Sequence, residues 1–240
     1  MAPDRILADL KLDCPCSLTK DGTAFKAKYF DNGVVTAILP LQKYPSYNAY
    51  LGACRKVYKG NAVRDMLKAK NLGYSWGQFP YKMHLPDIVE INHSKEMRGG
   101  IPMQGHYQQG LDEKGGAPDK EHTLDPIHCL IHWTSWFGVW KSILDYKQGD
   151  IPVDKKLLAY TQIKRVGETL WYNMILGHGD YLRDGVMYFL HCELVRFLLE
   201  IKNPLMKGVK WLTYAGYYGT PGRMLWKKKM LFEPGVLCTK

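Results

Sequence analysis

The chain has 240 residues, 46% of them apolar and 12% aromatic, enough to bury a substantial core. Its 33 Lys and Arg against 23 Asp and Glu give a formal net charge of +10, which excludes an acidic solvating chain and favours a phosphate-rich partner such as a nucleotide or RNA. No apolar run approaches a membrane span, and the acids in MAPDRILADLKLD deny that stretch the apolar centre of a signal peptide, so a soluble, cytoplasmic protein with no membrane partner is expected.

Residues 24–42 hold two alternating or β-branched runs around Asp31-Asn32-Gly33, the pattern of a β-hairpin. Over 47–71, Leu51, Cys54, Val57, Tyr58, Val63, Met66 and Leu67 recur among charged residues at helical spacing, with a break near Gly60. The turn-rich LGYSWGQFPYKMHLP follows; its Tyr74, Trp76, Phe79 and Tyr81 suit a core or the wall of a pocket. A helix is predicted from about Pro86 to Met97. Residues 99–126 are rich in Gly and Pro and read as a loop or linker. The chain thus divides into an N-terminal hairpin with helices (1–98), that loop, and a C-terminal core (127–240).

The core is more regular. CLIHWTSWFGVW, KLLAYTQIKRVGE and TLWYNMILG read as three strands, and a helix over 185–200 follows with Met187, Leu190, Leu194 and Leu198 on one stripe. VKWLTYAGYYG returns as a strand, GRMLWKKKM as a short basic helix, and LFEPGVLCTK closes the sheet. The order predicts an α/β fold, a mixed central sheet flanked by helices.

That order resembles the GNAT superfamily of acyltransferases, most closely its FemX-like branch of aminoacyl and acyl transferases, over about residues 129–240. Three features carry the likeness: an aromatic strand ending in Gly177 before a helix entered at Arg183-Asp184-Gly185, the strand in VKWLTYAGYYG, and Gly222-Arg223-Met224-Leu225-Trp226-Lys227 leading to Leu231-Phe232-Glu233-Pro234. The resemblance implies an N-acyltransferase with a GNAT-like core and no bound cofactor. Acyl-CoA or aminoacyl-tRNA would be the cosubstrate, and an amine-bearing small molecule or peptide the acceptor.

The turn at 177–185 gathers glycines, an imidazole, a carboxylate, a phenol and a guanidinium ahead of the most apolar helix. A helix start exposes unpaired N–H groups and a positive dipole end, so Arg183, Gly185 and Val186 are candidates to bind a donor phosphate, with Arg223 and Lys227 adding charge. Acyl transfer needs a base and an acid: His178 and Asp180 are candidate bases or their orienters, and Tyr181, Tyr214 and Tyr217 candidate acids. The bland reading is that an acid caps the helix, His178 makes one backbone hydrogen bond and the tyrosines pack. On the preceding helix His93, Ser94 and Arg98, with Trp76 nearby, are candidates to hold the acceptor; a solvated helix face is the equal alternative. A noncatalytic nucleic-acid-binding protein is the competing function, but an RNA-binding module would interleave aromatics with a continuous basic stripe.

No metal site is expected. His128 and His132 on one strand lie about 13 Å apart, too far to share an ion. Cys14-Pro15-Cys16 lacks the two-residue spacer of a zinc knuckle and has no partner pair downstream. The six cysteines follow no disulfide framework and are expected to be reduced.

Overall fold

A computed structural model describes residues 3–14, 16, 23, 26, 28–98, 100–103, 105–200, 203–214 and 216–240. In chain order come β1 (Asp4–Ala8), β2 (Val35–Pro40), α1 (Tyr47–Lys56), α2 (Asn61–Asn71), β3 (Ser75–Gln78), α3 (Leu85–His93) and the small hairpin β4 (Met97–Arg98) and β5 (Ile101–Pro102). After a long loop follow β6 (His132–Ser142), the hairpin β7 (Lys147–Gln148) and β8 (Ile151–Pro152), β9 (Lys155–Val166), β10 (Thr169–Gly177), α4 (Val186–Leu199), β11 (Trp211–Tyr214), α5 (Pro221–Lys229) and β12 (Glu233–Thr239).

Eight strands form one mixed sheet in the order β1-β12-β2-β11-β10-β9-β6-β3. The β1–β12 and β10–β11 pairs are parallel and the others antiparallel. Side-chain alternation buries both faces. Along β9, Leu158 and Ile163 join the cluster under α1, α2 and α4, while Leu157 and Tyr160 point the other way, into the cluster with Phe79, Ile88 and Ile91. The predicted mixed α/β sheet with flanking helices is what the chain forms. Among the described residues no helix is long and apolar enough to cross a membrane.

Buried polar groups tie the layers together. Asp87 of α3 is 1% exposed and accepts from Tyr146 Oη at 2.5 Å, Gln148 Nε2 at 2.5 Å and the Leu157 N–H at 2.9 Å, fixing α3 to the β7–β8 hairpin and to β9. His191 of α4 sits between the hydroxyls of Tyr50, 2.9 Å from Nε2, and Tyr172, 2.7 Å from Nδ1. Burial pushes its imidazole down to about 3, so it stays neutral and serves as core.

The predicted N-terminal hairpin is corrected. Lys26, Lys28 and Tyr29 are helical, the Phe30 N–H bonds back to the Lys26 carbonyl at 2.8 Å, and Asp31 takes φ 54°. Asp31-Asn32-Gly33 thus ends a helical turn, with Asp31 and Gly33 both at positive φ, because left-handed residues close a helix as readily as they join strands. Residues 24, 25 and 27 of the expected first strand lie outside the described residues. The second arm, β2, pairs instead with β11 and β12, placing residues 35–40 inside the sheet of the C-terminal half. The turn-rich segment after α2 also yields an unexpected edge strand, β3, whose Gly77 faces Gly138 of β6. The helix predicted to reach Met97 stops at His93.

Cysteine placement is the second correction. The loop after β1 crosses to the β9–β10 turn, where the Glu168 N–H bonds the Asp9 carbonyl at 2.9 Å. Cys14 and Cys16 therefore meet Cys129 and His132, partners far away in sequence.

Candidate functional site

Strands β10 and β11 run side by side only from Thr169↔Trp211 to Tyr172↔Tyr214. β11 ends there while β10 continues to Gly177, with a bulge against β9 between Tyr172 and Met174. Past Tyr172, β10 has no strand partner on this side among the described residues. The opening is a crevice at the carboxyl ends of two parallel strands, the place where open α/β sheets bind ligands.

A cavity of about 510 Å³ fills it. Ile175 and Leu176 of β10, Met187 of α4, Tyr214 of β11, and Gly222, Arg223, Trp226 and Lys227 of α5 form three of its walls; Arg98, Ile101, Pro102, Met103 and Tyr107 close the fourth. The lining is mostly apolar with a few convergent polar groups, as small-molecule sites are. It contains three cations and, among the described residues, no carboxylate.

Each cation is held differently. Lys227 is 2% exposed; its Nζ donates to the carbonyls of Gly216 and Tyr217 and lies 4.7 Å from the centre of the Tyr214 ring. Burial, and then the nearby Arg223 charge, push its ammonium down to about 8. Arg98 donates through Nη1 to the Gly177 carbonyl at 2.7 Å and through Nη2 to the Ile91 carbonyl at 2.8 Å and Ser94 Oγ at 2.9 Å. Its buried Nε makes no hydrogen bond among the described residues. Arg223 is in the first turn of α5, a helix begun by Pro221 whose N-cap, Thr220, makes no side-chain cap bond. The first-turn N–H groups, which a cap would satisfy, thus stand beside the Arg223 charge. Burial raises the phenols of Tyr107 and Tyr214, so both stay protonated as hydrogen-bond donors.

Of the residues singled out from sequence, Arg98, Tyr214, Arg223 and Lys227 line this cavity; the others do not. His178 turns its Nε2 to Glu90 Oε1 at 3.1 Å, and its Nδ1 accepts from the Asp180 N–H at 3.3 Å, opening the 3-10 turn Gly179–Asp184. The Asp180 side chain is 85% exposed. Tyr181 packs against His178 and Tyr74. Arg183 is exposed and uses its carbonyl to accept from Lys68 at 2.9 Å. Gly185 abuts the Asp65 backbone of α2 and Val186 is fully buried, so the entry to α4 is closed by α2. Ser94 Oγ accepts from the Gly179 N–H at 2.8 Å and braces Arg98. His93 contacts the Gln108 carbonyl at 3.2 Å, Trp76 stacks on Phe137 in the core, and the Tyr217 carbonyl holds Lys227. Sequence reasoning missed Tyr107, Met187 and Trp226 as lining residues. Tyr107 offered a signal, a lone aromatic in a Gly-rich loop.

No protein-family model matches the sequence, and no curated protein does. Among solved structures the fold is similar to that of FemX, with a TM-score of 0.54 and 10% identity, covering 84% of this chain and 59% of FemX. The chain thus spans little more than half of FemX. A conserved protein of unknown function from Bacteroides thetaiotaomicron also matches, with a TM-score of 0.39 and 10% identity over 91% of this chain and 66% of that one. At such identity the likeness to FemX establishes the fold: a FemX-like mixed sheet.

Proposed function

We propose that the chain is a transferase that moves an acyl or aminoacyl group from a phosphate-bearing donor to an amine, in the cavity where β10 and β11 part. One observation carries this reading: Arg98, Arg223 and Lys227 converge on a largely apolar cavity that has no carboxylate among its described lining residues. Such a site is built for an anionic ligand with an apolar portion. The FemX-like fold supports an aminoacyl-tRNA donor; acyl-CoA offers the same two parts, phosphate and activated carbonyl. The GNAT-like core proposed from sequence differs in one respect: the phosphate site is at the start of α5, beside Arg223, and not at α4.

In this scheme the donor phosphate sits against Arg223 and the open first turn of α5, and the acyl carbonyl reaches the gap past Tyr172. The acceptor nitrogen attacks that carbon, the C–N bond forms, and the bond to ribose oxygen or CoA sulfur breaks. Lys227, protonated at neutral pH, gives its proton to the leaving atom and then takes one from the new amide nitrogen. An ammonium near 8 is suited to both steps.

Calorimetric titration with acetyl-CoA, longer acyl-CoAs and charged tRNA tests the reading. One of these donors should bind, and Arg223→Ala should weaken it by about 10- to 100-fold, the worth of a charge-assisted phosphate contact. Failure of all three donors to bind would sink the proposal.

A further inference from the structure

Away from this cavity, at the opposite end of the sheet, three thiols and an imidazole converge. The ligand atoms of Cys14, Cys16, Cys129 and His132 all lie within 4.8 Å of one another. Cys14 Sγ is 3.7 Å from Cys129 Sγ, and Cys16 Sγ is 3.0 Å from His132 Nδ1. A tetrahedral zinc ion with bonds of about 2.3 Å to sulfur needs sulfur–sulfur edges of about 3.8 Å. The Cys14–Cys129 separation is already such an edge.

The surroundings are those of a metal site. His132 is 2% exposed, and its Nε2 lies 2.8 Å from the Leu10 carbonyl, which can only accept. The ring proton is therefore on Nε2, and Nδ1 turns its lone pair to the thiols, the orientation a metal-bound histidine needs. Both halves of the cluster are anchored to one turn. Gly167 bonds the Ile131 carbonyl at 3.0 Å and Glu168 the Asp9 carbonyl at 2.9 Å; a side chain on Gly167 would strike Asp9 and Leu10. Buried Arg165 adds a counter-charge: it is 2% exposed, and among the described residues its guanidinium hydrogen-bonds only to backbone carbonyls, of Leu130, Gly167, Leu205 and Lys207. Leu130 lies between two of the cluster's members. Zinc held by three thiolates and a neutral imidazole carries a single negative charge, which this guanidinium would balance.

We propose that Cys14, Cys16, Cys129 and His132 bind one zinc ion, a structural site that fastens the loop after β1 to the start of β6. Four protein ligands close a tetrahedron and leave no position for substrate, and a mixed thiolate–imidazole set suits zinc. Binding displaces the three thiol protons into solvent. The site is remote from the cavity: from Thr169 to Ile175 alone, β10 rises roughly 20 Å. The one-residue Cys14–Cys16 spacer hides it from a motif search, and the fold supplies the second pair.

The test is metal content of the full chain, purified under reducing conditions without chelator, and cobalt(II) titration of the metal-stripped protein. Wild type should carry about one zinc per chain and, with cobalt, show thiolate charge-transfer bands and the strong visible bands of a tetrahedral ion. Cys16→Ser and Cys129→Ser should lose most of the zinc, whereas Cys238→Ser, at a cysteine outside the cluster, should keep it. A wild-type chain that takes up neither metal, or zinc retained in both cluster variants, overturns the proposal. So does an octahedral cobalt spectrum. Because the cobalt measurement uses the wild-type chain, it stands even where a variant fails to fold.

Discussion

Lys227 carries a buried ammonium at the cavity wall at a cost to stability. Its folded value of about 8 lies below the 10.5 of a free lysine, so between these two the unfolded chain binds the extra proton and stability rises with pH. Lys227→Met should remove that rise. Comparing urea unfolding of both proteins at pH 7 and pH 10.5, wild type should gain about 3 kcal/mol more than the variant; equal gains would show that the ammonium is not strained. If Lys227 is the acid of the proposed transfer, turnover should follow the opposite course, falling as pH climbs through about 8 and the lysine loses its proton. His178 presents a different case, since its ring is occupied by Glu90 and by the Asp180 N–H. His178→Ala should cost about 1 kcal/mol in chemical denaturation, the worth of a cap, while turnover per folded molecule stays within about threefold. A hundredfold drop in turnover would instead make it a base.

At the scale of elements, two helix starts compete for the role of anion site. α4 begins at Gly185, where φ is 85° and an added Cβ would collide with the Asp65 backbone, so its first turn is sealed against α2. Gly185→Ala should therefore destabilise by about 1–3 kcal/mol in urea unfolding while leaving donor affinity of the folded fraction unchanged. α5 begins at Pro221 with an added Cβ at Gly222 meeting open space, facing the cavity. Sequence reading located both helices, α4 by an apolar stripe repeating every three to four residues and α5 as a short basic segment between two strands. It did not rank their N-termini, because that depends on α2 lying across one of them. The long strands β6, β9 and β10 were legible for the same local reason: runs of aromatic and β-branched residues. β1 and β3 were not, being five- and four-residue strands at the sheet edges, and Asp31-Asn32-Gly33 misled because its dihedral demand is common to hairpins and helix ends. Of the candidate site, the charged residues of the C-terminal helix were legible, whereas the Cys14–Cys129 juxtaposition depends on strand order, which no local pattern encodes.

Over the whole molecule, the sheet interleaves the two ends of the chain: β12 lies between β1 and β2, and β2 between β12 and β11. Residues 127–240 expressed alone would lack β2, leaving β11 and β12 without the strand that joins them. That fragment should give no cooperative melt, and adding residues 1–98 in trans should restore one; a sharp transition from the fragment alone would establish it as an independent unit. The same interleaving bears on how the protein is made. As a ribosome releases the chain, β2 emerges well before both neighbours that will cover its edges, β11 and β12. Until they follow, an apolar strand, VTAIL, waits with both backbone edges unpaired, in the condition that favours capture by another nascent chain. Such long-range pairing also slows folding after release. Yield in cells should accordingly respond more to chaperone supply and lowered temperature than its stability would suggest, and substitutions that blunt β2 aggregation should raise it without touching the cavity.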